Sequence, residues 1–393
     1  MTTLHPGTAR TYQEAVSIRC SDRIGASEWD RLARRGFHRH RWTAVAERSG
    51  WSARHVAVYG PAGLRSVIPA YLTSGGTAHD LHDRWLGPLG RSAARVGLSL
   101  RPVVSVQSAF GPVSEPTGDG TELPSSLLHQ AFEALESTAR DERAKAVVWP
   151  FVEATNRLLL EVARERGYGV FYAGAAARLP IRWESFEEYL ASRSKSVRRT
   201  IRADLAQIRA AELGMESTSD FLVHAAGIDN LYRKAFQRRN GRPTLLASDF
   251  FSRLAKSPDR SVTAQLTWNG TRLVGSSMNL AAAGRLDGTF AAFTREHHGG
   301  AAYFNDLVYQ PIRHACKEGI GTIELGPTAL YAKVLRGATL QRRVVLIRGR
   351  TPPLHAMLCA LGRMVALREE RKDLRALGAL WGPRCFPERE DAP

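Results

Sequence analysis

The stretch from Val262 to Gly326 restricts the fold more than any other part of this chain. Three segments of strand character follow one another in it, VTAQLTWNG, TRLVGSSMNLAAAG and RLDGTFAAFT. Asn269 and Gly270 join the first two, and Asn-Gly favours a tight hairpin because both residues tolerate positive φ. The pair Gly299–Gly300 then opens a helical run, AAYFNDLVYQPIRHACKEG, and a strand, TIELG, ends at Gly326. Such an order of antiparallel meander, Gly turn, helix and strand predicts an α/β fold of the α+β kind, with mixed sheets.

The flanking sequence extends this reading. Trp29 and Leu32 share a face in a helix expected over Ser27–Arg35, and a second helix runs from Trp42 to Ser49. Residues 55–60 and 64–73 alternate as a hairpin about Pro61 and Gly63. Residues 74–125 are rich in Gly, Ser and Pro and read as loops around one or two short strands. A helix over 123–144, a strand over 146–152 and a helix over 155–167 closed by Gly167 complete a first half. Residues 171–183 carry the chain into a second, which starts with SFEEYLAS and the basic helix SRSKSVRRTIRADLAQIRAA. Helices follow over 221–241 and 248–257, and after TIELG come a strand over 342–349 and an apolar helix over 353–374. Two domains are expected, 1–170 and 171–393.

Charge separates these halves. Lys plus Arg number 55 against 38 Asp plus Glu, a net charge of +17. Residues 1–170 hold 21 basic and 17 acidic groups (+4), and 171–393 hold 34 and 21 (+13), so an anionic partner should meet the second half. Only seven of the basic residues are Lys, which a GC-rich genome would also produce. No segment approaches the roughly 18 unbroken apolar residues of a membrane span, and the N-terminus has no signal-peptide core; the expectation is a cytoplasmic protein. Cys20, Cys316, Cys359 and Cys385 have no CxxC or Cys/His spacing, so neither a metal site nor a disulfide framework is expected. GxSxG, P-loop and dinucleotide fingerprints are missing, which argues against hydrolase, kinase and dehydrogenase readings.

The element order of the second half is similar to the GNAT acyltransferase fold. The stretch FNDLVYQPIRHACKEGIGTIELGPTALYAKVLRGA (304–338), an aromatic-rich helix, a Gly-ended strand and a Lys-x-x-Arg-Gly segment, resembles the FemAB-like group. EWDRL (28–32), GWSARHVAVYGPAGLRSVIPAYL (50–72) and the FFSRLA helix agree with it, so that the resemblance covers most of the chain. It implies tandem GNAT-like domains and transfer of an acyl or aminoacyl group to an amine or hydroxyl, without a metal or a covalent enzyme intermediate. Fem-type enzymes take an amino acid from aminoacyl-tRNA, and ordinary GNAT enzymes take an acyl group from acyl-CoA. No long charged coiled-coil arm is inserted in the second half, unlike some peptidoglycan-bridge enzymes.

The two donors ask for different residues. For acyl-CoA, a Gly-rich turn before a helix cradles pyrophosphate; Arg295, His298, Gly299, Gly300 and Ala301 approximate it, with one residue too many between Arg295 and Gly299. For tRNA, a broad basic face is needed. Lys195, Arg198, Arg199 and Arg202 provide one on the basic helix, against Asp204 alone. Arg342 and Arg343 lie in another stretch, Leu325–Leu367, which has no acidic residue. Either stretch also fits an ordinary solvated face.

Lys333, in the Fem-like segment, is expected to stabilise the charge that develops during transfer; an exposed surface Lys is the alternative. Arg336 is a candidate clamp for an anionic group. Asp306 and Tyr309 are three residues apart on one helix face, where either can relay a proton, although Tyr309 also suits the core. Asn305 and Tyr331 are further candidates for substrate contact, and Glu324 is a candidate base if it points outward. The leading expectation is aminoacyl-tRNA-dependent transfer to a small-molecule or peptidoglycan-precursor acceptor. A CoA- or carrier-dependent N-acyltransferase and a non-catalytic nucleic-acid-binding protein on a GNAT-like scaffold are the alternatives.

Overall fold

The computed structural model describes residues 14–73, 100–118, 123–244, 246–256, 261–297, 300–382 and 386. The parts of the expected 74–125 loop at 74–99 and 119–122 lie outside these residues, as do His298, Gly299 and Cys385.

The described residues open with β1 (Glu14–Ile18), α1 (Ala26–Arg31) and α2 (His40–Arg48). The expected hairpin forms as β3 (His55–Gly60) and β4 (Gly63–Ile68), but the strand read as 64–73 is two strands. Pro69 has no N–H to give a ladder, and there the chain leaves a small sheet, ordered β1-β3-β4, for a large one through β5 (Ala70–Thr73). Next come β6 (Val103–Val106), α3 (Ser125–Asp141), β7 (Ala146–Glu153), α4 (Arg157–Glu165) and β8 (Gly169–Pro180), close to their expected bounds.

The second half contributes α5 (Phe186–Ala191), the basic α6 (Lys195–Ala210), β9 (Leu213–Thr218), α7 (Ala225–Asn240) and α8 (Phe250–Ala255). β9 was not anticipated. Its sequence, LGMEST, has a single strongly apolar pair and lies at the sheet edge with most residues half or fully exposed, which gives no apolar alternation to read. The meander is β10 (Val262–Asn269), β11 (Arg272–Ala282) and β12 (Arg285–Phe293). The following helix has three parts, α9 (Ala301–Phe304), a π-helical turn (Asn305–Tyr309) and α10 (Gln310–Glu318). Pro311 stands just after the π-helical turn, at the start of α10, and lacks the N–H that a regular helix would use, which fits a local change of winding there. β13 (Thr322–Gly326), α11 (Leu330–Leu335), β14 (Thr339–Gly349) and α12 (Pro352–Leu377) complete the fold.

Among the described residues, with β2 (Ser52–Ala53), eleven strands join in one mixed sheet, ordered β2-β5-β6-β7-β14-β8-β13-β12-β11-β10-β9. β14 returns from the end of the chain to lie between β7 and β8, antiparallel to both. The division proposed at residue 170 thus falls within β8, and the sheet is continuous across it. The halves also share a core, in which Phe37, Trp42 and Phe110 pack with Phe250, Phe251 and Phe290.

Candidate active site

β12 and β13 are parallel over only three residue pairs, ending at Asp287 and Glu324. Just beyond, the β11–β12 register slips between Ser276 and Met278, and Phe290 takes φ 50°. A bulge of this kind bends its strand, and pairing with β13 is not resumed. The parting leaves a wedge between residues 288–293 of β12 and the chain that follows Glu324. The carbonyls of Ala291 and Phe293 on β12 accept hydrogen bonds from Arg239 at 3.4 Å and Arg238 at 2.7 Å. On the other wall, Gly326 (φ 75°) and Ala329 (φ 52°) turn the chain into α11.

Lys333 on α11 is buried, contrary to the exposed-Lys alternative, and its Nζ donates to the carbonyl of Leu325 at 2.5 Å. Burial alone pulls its ammonium from an ordinary 10.5 down to about 7. A lysine in this state gives up its proton near neutral pH and can accept one. Tyr331, two residues earlier and on roughly the opposite side of the helix, is exposed.

Asp306, on the π-helical turn, is also buried, and its carboxyl is pushed up to about 7 by desolvation, against hydrogen bonds from Thr267 (2.6 Å) and Asn305 (3.4 Å). Asn305 also reaches Met215 Sδ at 3.3 Å. These residues adjoin a buried polar row on the sheet that includes Gln265, Ser277 and Asn279. The shifts of Asp306 and Lys333 each arise from the group's own burial, without a contribution from the other.

Tyr309 and Arg336 are brought together, around a third residue not singled out from sequence for any such role, Asp204 of α6. The Tyr309 hydroxyl donates to Asp204 Oδ2 at 2.5 Å and accepts from Arg336 Nε at 2.8 Å, while Arg336 Nη2 donates to the same Asp204 oxygen at 2.8 Å. Arg336 also lies 3.6 Å over the ring of Phe304. Burial, then the Asp204 bond, raises the Tyr309 pKa, so its hydroxyl remains a donor at neutral pH. The cluster ties the basic helix to the helix that carries Lys333. Tyr309→Phe is expected to lower stability by about 1–2 kcal/mol in urea unfolding, since it leaves a buried guanidinium N–H without its acceptor.

Glu324 is not an outward-facing base. It accepts from Arg178 at 2.6 Å and lies 3.3 Å from Arg285 and 3.7 Å from Arg35. It belongs to a buried ionic network that reaches across both halves. Asp287 accepts two bonds from Arg35 (2.6 and 2.8 Å) and one from the Gly36 N–H (2.8 Å). Arg343 meets Glu153 at 2.8 Å and Glu115 at 3.0 Å, and Arg178 meets Glu153 at 2.6 Å. Burial pushes Glu153 up, but Arg343, Arg178 and Arg35 together outweigh it and hold the carboxyl at about 2. For Glu115 burial prevails and the pKa is raised. The two carboxylates also form part of the lining of a cleft of about 270 Å³, with Arg34, Asn156 and Leu158.

The expected tRNA residues divide. Lys195, Arg199 and Arg202 are exposed on α6. Arg198 turns back to the carbonyls of Ala191 (3.1 Å) and Arg193 (2.5 Å). Arg342 and Arg343 are corrected: Arg343 is buried in the ionic network, and Arg342 is stacked among Tyr172, Trp381 and Phe386 with Glu370 at 3.6 Å. Within the acid-free stretch 325–367, Arg336, Arg343 and Arg348 are paired with carboxylates remote in sequence, Asp204, Glu115, Glu153 and Glu136. Among the described residues no His, Cys, Asp and Glu cluster fits a metal ion, and no helix is long and apolar enough to cross a membrane.

A parted strand pair walled by a helix, beside a buried amine, thus lies in a mixed sheet that runs through both halves, and this architecture is of the Fem-type fold. The structure is similar to that of FemX, with a TM-score of 0.58 at 13% identity over 86% of this chain and 98% of the other. It is also similar to the C-terminal domain of a putative lysylphosphatidylglycerol synthetase from Agrobacterium fabrum, with a TM-score of 0.53 at 10% identity over 86% of this chain and 95% of that domain. Identities this low concern the fold alone. The chain belongs to the FemAB-like family, described as peptidoglycan biosynthesis/recognition, whose model matches residues 21–357. As a member it is an acyl- or aminoacyltransferase. No curated protein matches its sequence.

Proposed function

We propose that the protein transfers an aminoacyl group from aminoacyl-tRNA to an amine or hydroxyl of a cell-wall-type acceptor, by direct attack. The observation that carries this reading is the Asp204–Tyr309–Arg336 cluster, which fastens the exposed Lys195, Arg199 and Arg202 ridge to the wall of the wedge holding Lys333. A polyanionic donor lying on the ridge would have its esterified end directed to the wedge. The acceptor nitrogen or oxygen bonds to the ester carbonyl carbon, the bond to the ribose oxygen breaks, and the tRNA hydroxyl leaves with a proton. Lys333 takes the acceptor's proton, is charged while the oxyanion develops, and returns that proton to the departing ribose oxygen.

Fluorescence anisotropy with charged tRNA over a salt series tests the donor. The parent chain should bind with a steep salt slope. Lys195→Gln/Arg199→Gln/Arg202→Gln should bind on the order of tenfold more weakly, with the slope reduced by about three. Binding and consumption of acyl-CoA with no response to tRNA would replace this donor with the competing one.

A further inference from the structure

α12 has two apolar faces. Its inner face, with Leu358, Gly362 and Leu377, packs on β8 and β14. Met357, Met364, Leu367 and Leu374 point outward and are 42, 55, 56 and 46% exposed. Their spacing confines them to about a third of the helix circumference. Arg363, Arg368, Arg371 and Arg375 are exposed on the same side or along its margins. The acidic residues of the helix are turned elsewhere: Glu369 meets Lys372 at 2.8 Å, Glu370 meets Arg342 at 3.6 Å, and Asp373 is buried against Tyr172 at 2.8 Å.

A helix packed by one face on a sheet ordinarily shows water a polar face. Here the outward face combines large apolar side chains with cations, and among the described residues no acid is paired with them. Nucleic acid would engage the arginines, but Met and Leu gain nothing from a phosphate backbone. A second copy of the same face would set four arginines against four. An anionic bilayer suits both components, because the apolar chains enter the boundary between headgroups and acyl chains while the arginines meet lipid phosphates. We propose that the outer face of α12 seats the protein on an anionic lipid surface. α11, with Lys333 and the exposed Tyr331 and Leu335, packs against α12, so the seated protein holds its wedge close to that surface. The inference stands independently of the donor.

Co-sedimentation of the full chain with vesicles of phosphatidylcholine alone, or mixed equally with phosphatidylglycerol, tests it. The protein should bind the mixed vesicles, release them as salt rises, and ignore pure phosphatidylcholine. Met364→Glu/Leu367→Glu should weaken binding at least about tenfold with unchanged circular dichroism and Tm, as both side chains are outside the core. Arg363→Gln/Arg368→Gln/Arg371→Gln/Arg375→Gln should do the same without altering the apolar face. Failure to bind the mixed vesicles, equal binding by the Glu variant, or a dimer in sedimentation equilibrium that the Glu variant dissolves would overturn the proposal. Loss of charged-tRNA affinity in the Glu variant would likewise overturn it in favour of a nucleic-acid face.

Discussion

Lys333→Ala should lower kcat/KM for transfer by about 10²–10³, the range for loss of a positioned proton acceptor that also faces the oxyanion. The parent rate should rise with pH through about 7, because Lys333 accepts a proton only once its own is shed, and this step should vanish in the variant. An unaltered rate would remove Lys333 from the mechanism. The same residue has a stability signature opposite to that of an ordinary buried contact. The unfolded chain retains the Lys333 proton up to about 10.5, whereas the folded chain sheds it above about 7. Between these values the unfolded state binds more protons, so the contribution of this group makes stability rise with pH, and the burial penalty is at its full value below about 7. Lys333→Met keeps the length of the side chain and takes no proton. It should therefore be more stable than the parent at pH 7, by about 2–4 kcal/mol after the lost bond to Leu325 is offset. Its advantage should shrink toward pH 10 in pH-resolved urea unfolding. A residue that costs stability and supplies rate is what a functional position predicts.

Asp287→Ala should cost about 3–5 kcal/mol, seen as a lower urea midpoint. Asp287 is fully buried and accepts three bonds, two from Arg35 and one from the Gly36 N–H. Its removal leaves Arg35 in the interior with Glu153 and Glu324 only at 3.7 Å, and an uncompensated buried charge is among the most damaging changes a core can suffer. Asp287→Asn, which keeps one carbonyl acceptor, should cost less. A near-neutral Asp287→Ala would mean that water reaches the network. Acid should act on the same region: the carboxyls of Glu153 and Glu324 are held below their ordinary value by arginines, so their contribution is present above about pH 4.5 and is lost as pH falls toward about 2.

Much of the architecture was legible because its signals are local. Asn269-Gly270 marks the hairpin, Gly167, Gly241 and Gly319 close their helices at positive φ, and helical periodicity marked α3 and α7. The failures have local reasons as well. Pro69 divides a strand that alternation alone presents as continuous, and LGMEST is too polar to show its place at a sheet edge. Lys333, Asp306, Tyr309 and Arg336 were identifiable as candidates from the Fem-like segment, but their surroundings were not.

Sequence by itself determined the kind of elements, their order, the family resemblance and the excess of positive charge in the second half. Tertiary structure alone decided which charges are available. Arg343 read as a donor-binding cation and Glu324 as a base if it pointed outward, yet both are buried partners in one network, because β14 returns between β7 and β8 and brings carboxylates from remote positions against it. It also decided that Lys333 is a near-neutral amine rather than a surface ammonium. Ionisation depends on desolvation and on neighbours in space, and neither is a property of positions along a chain.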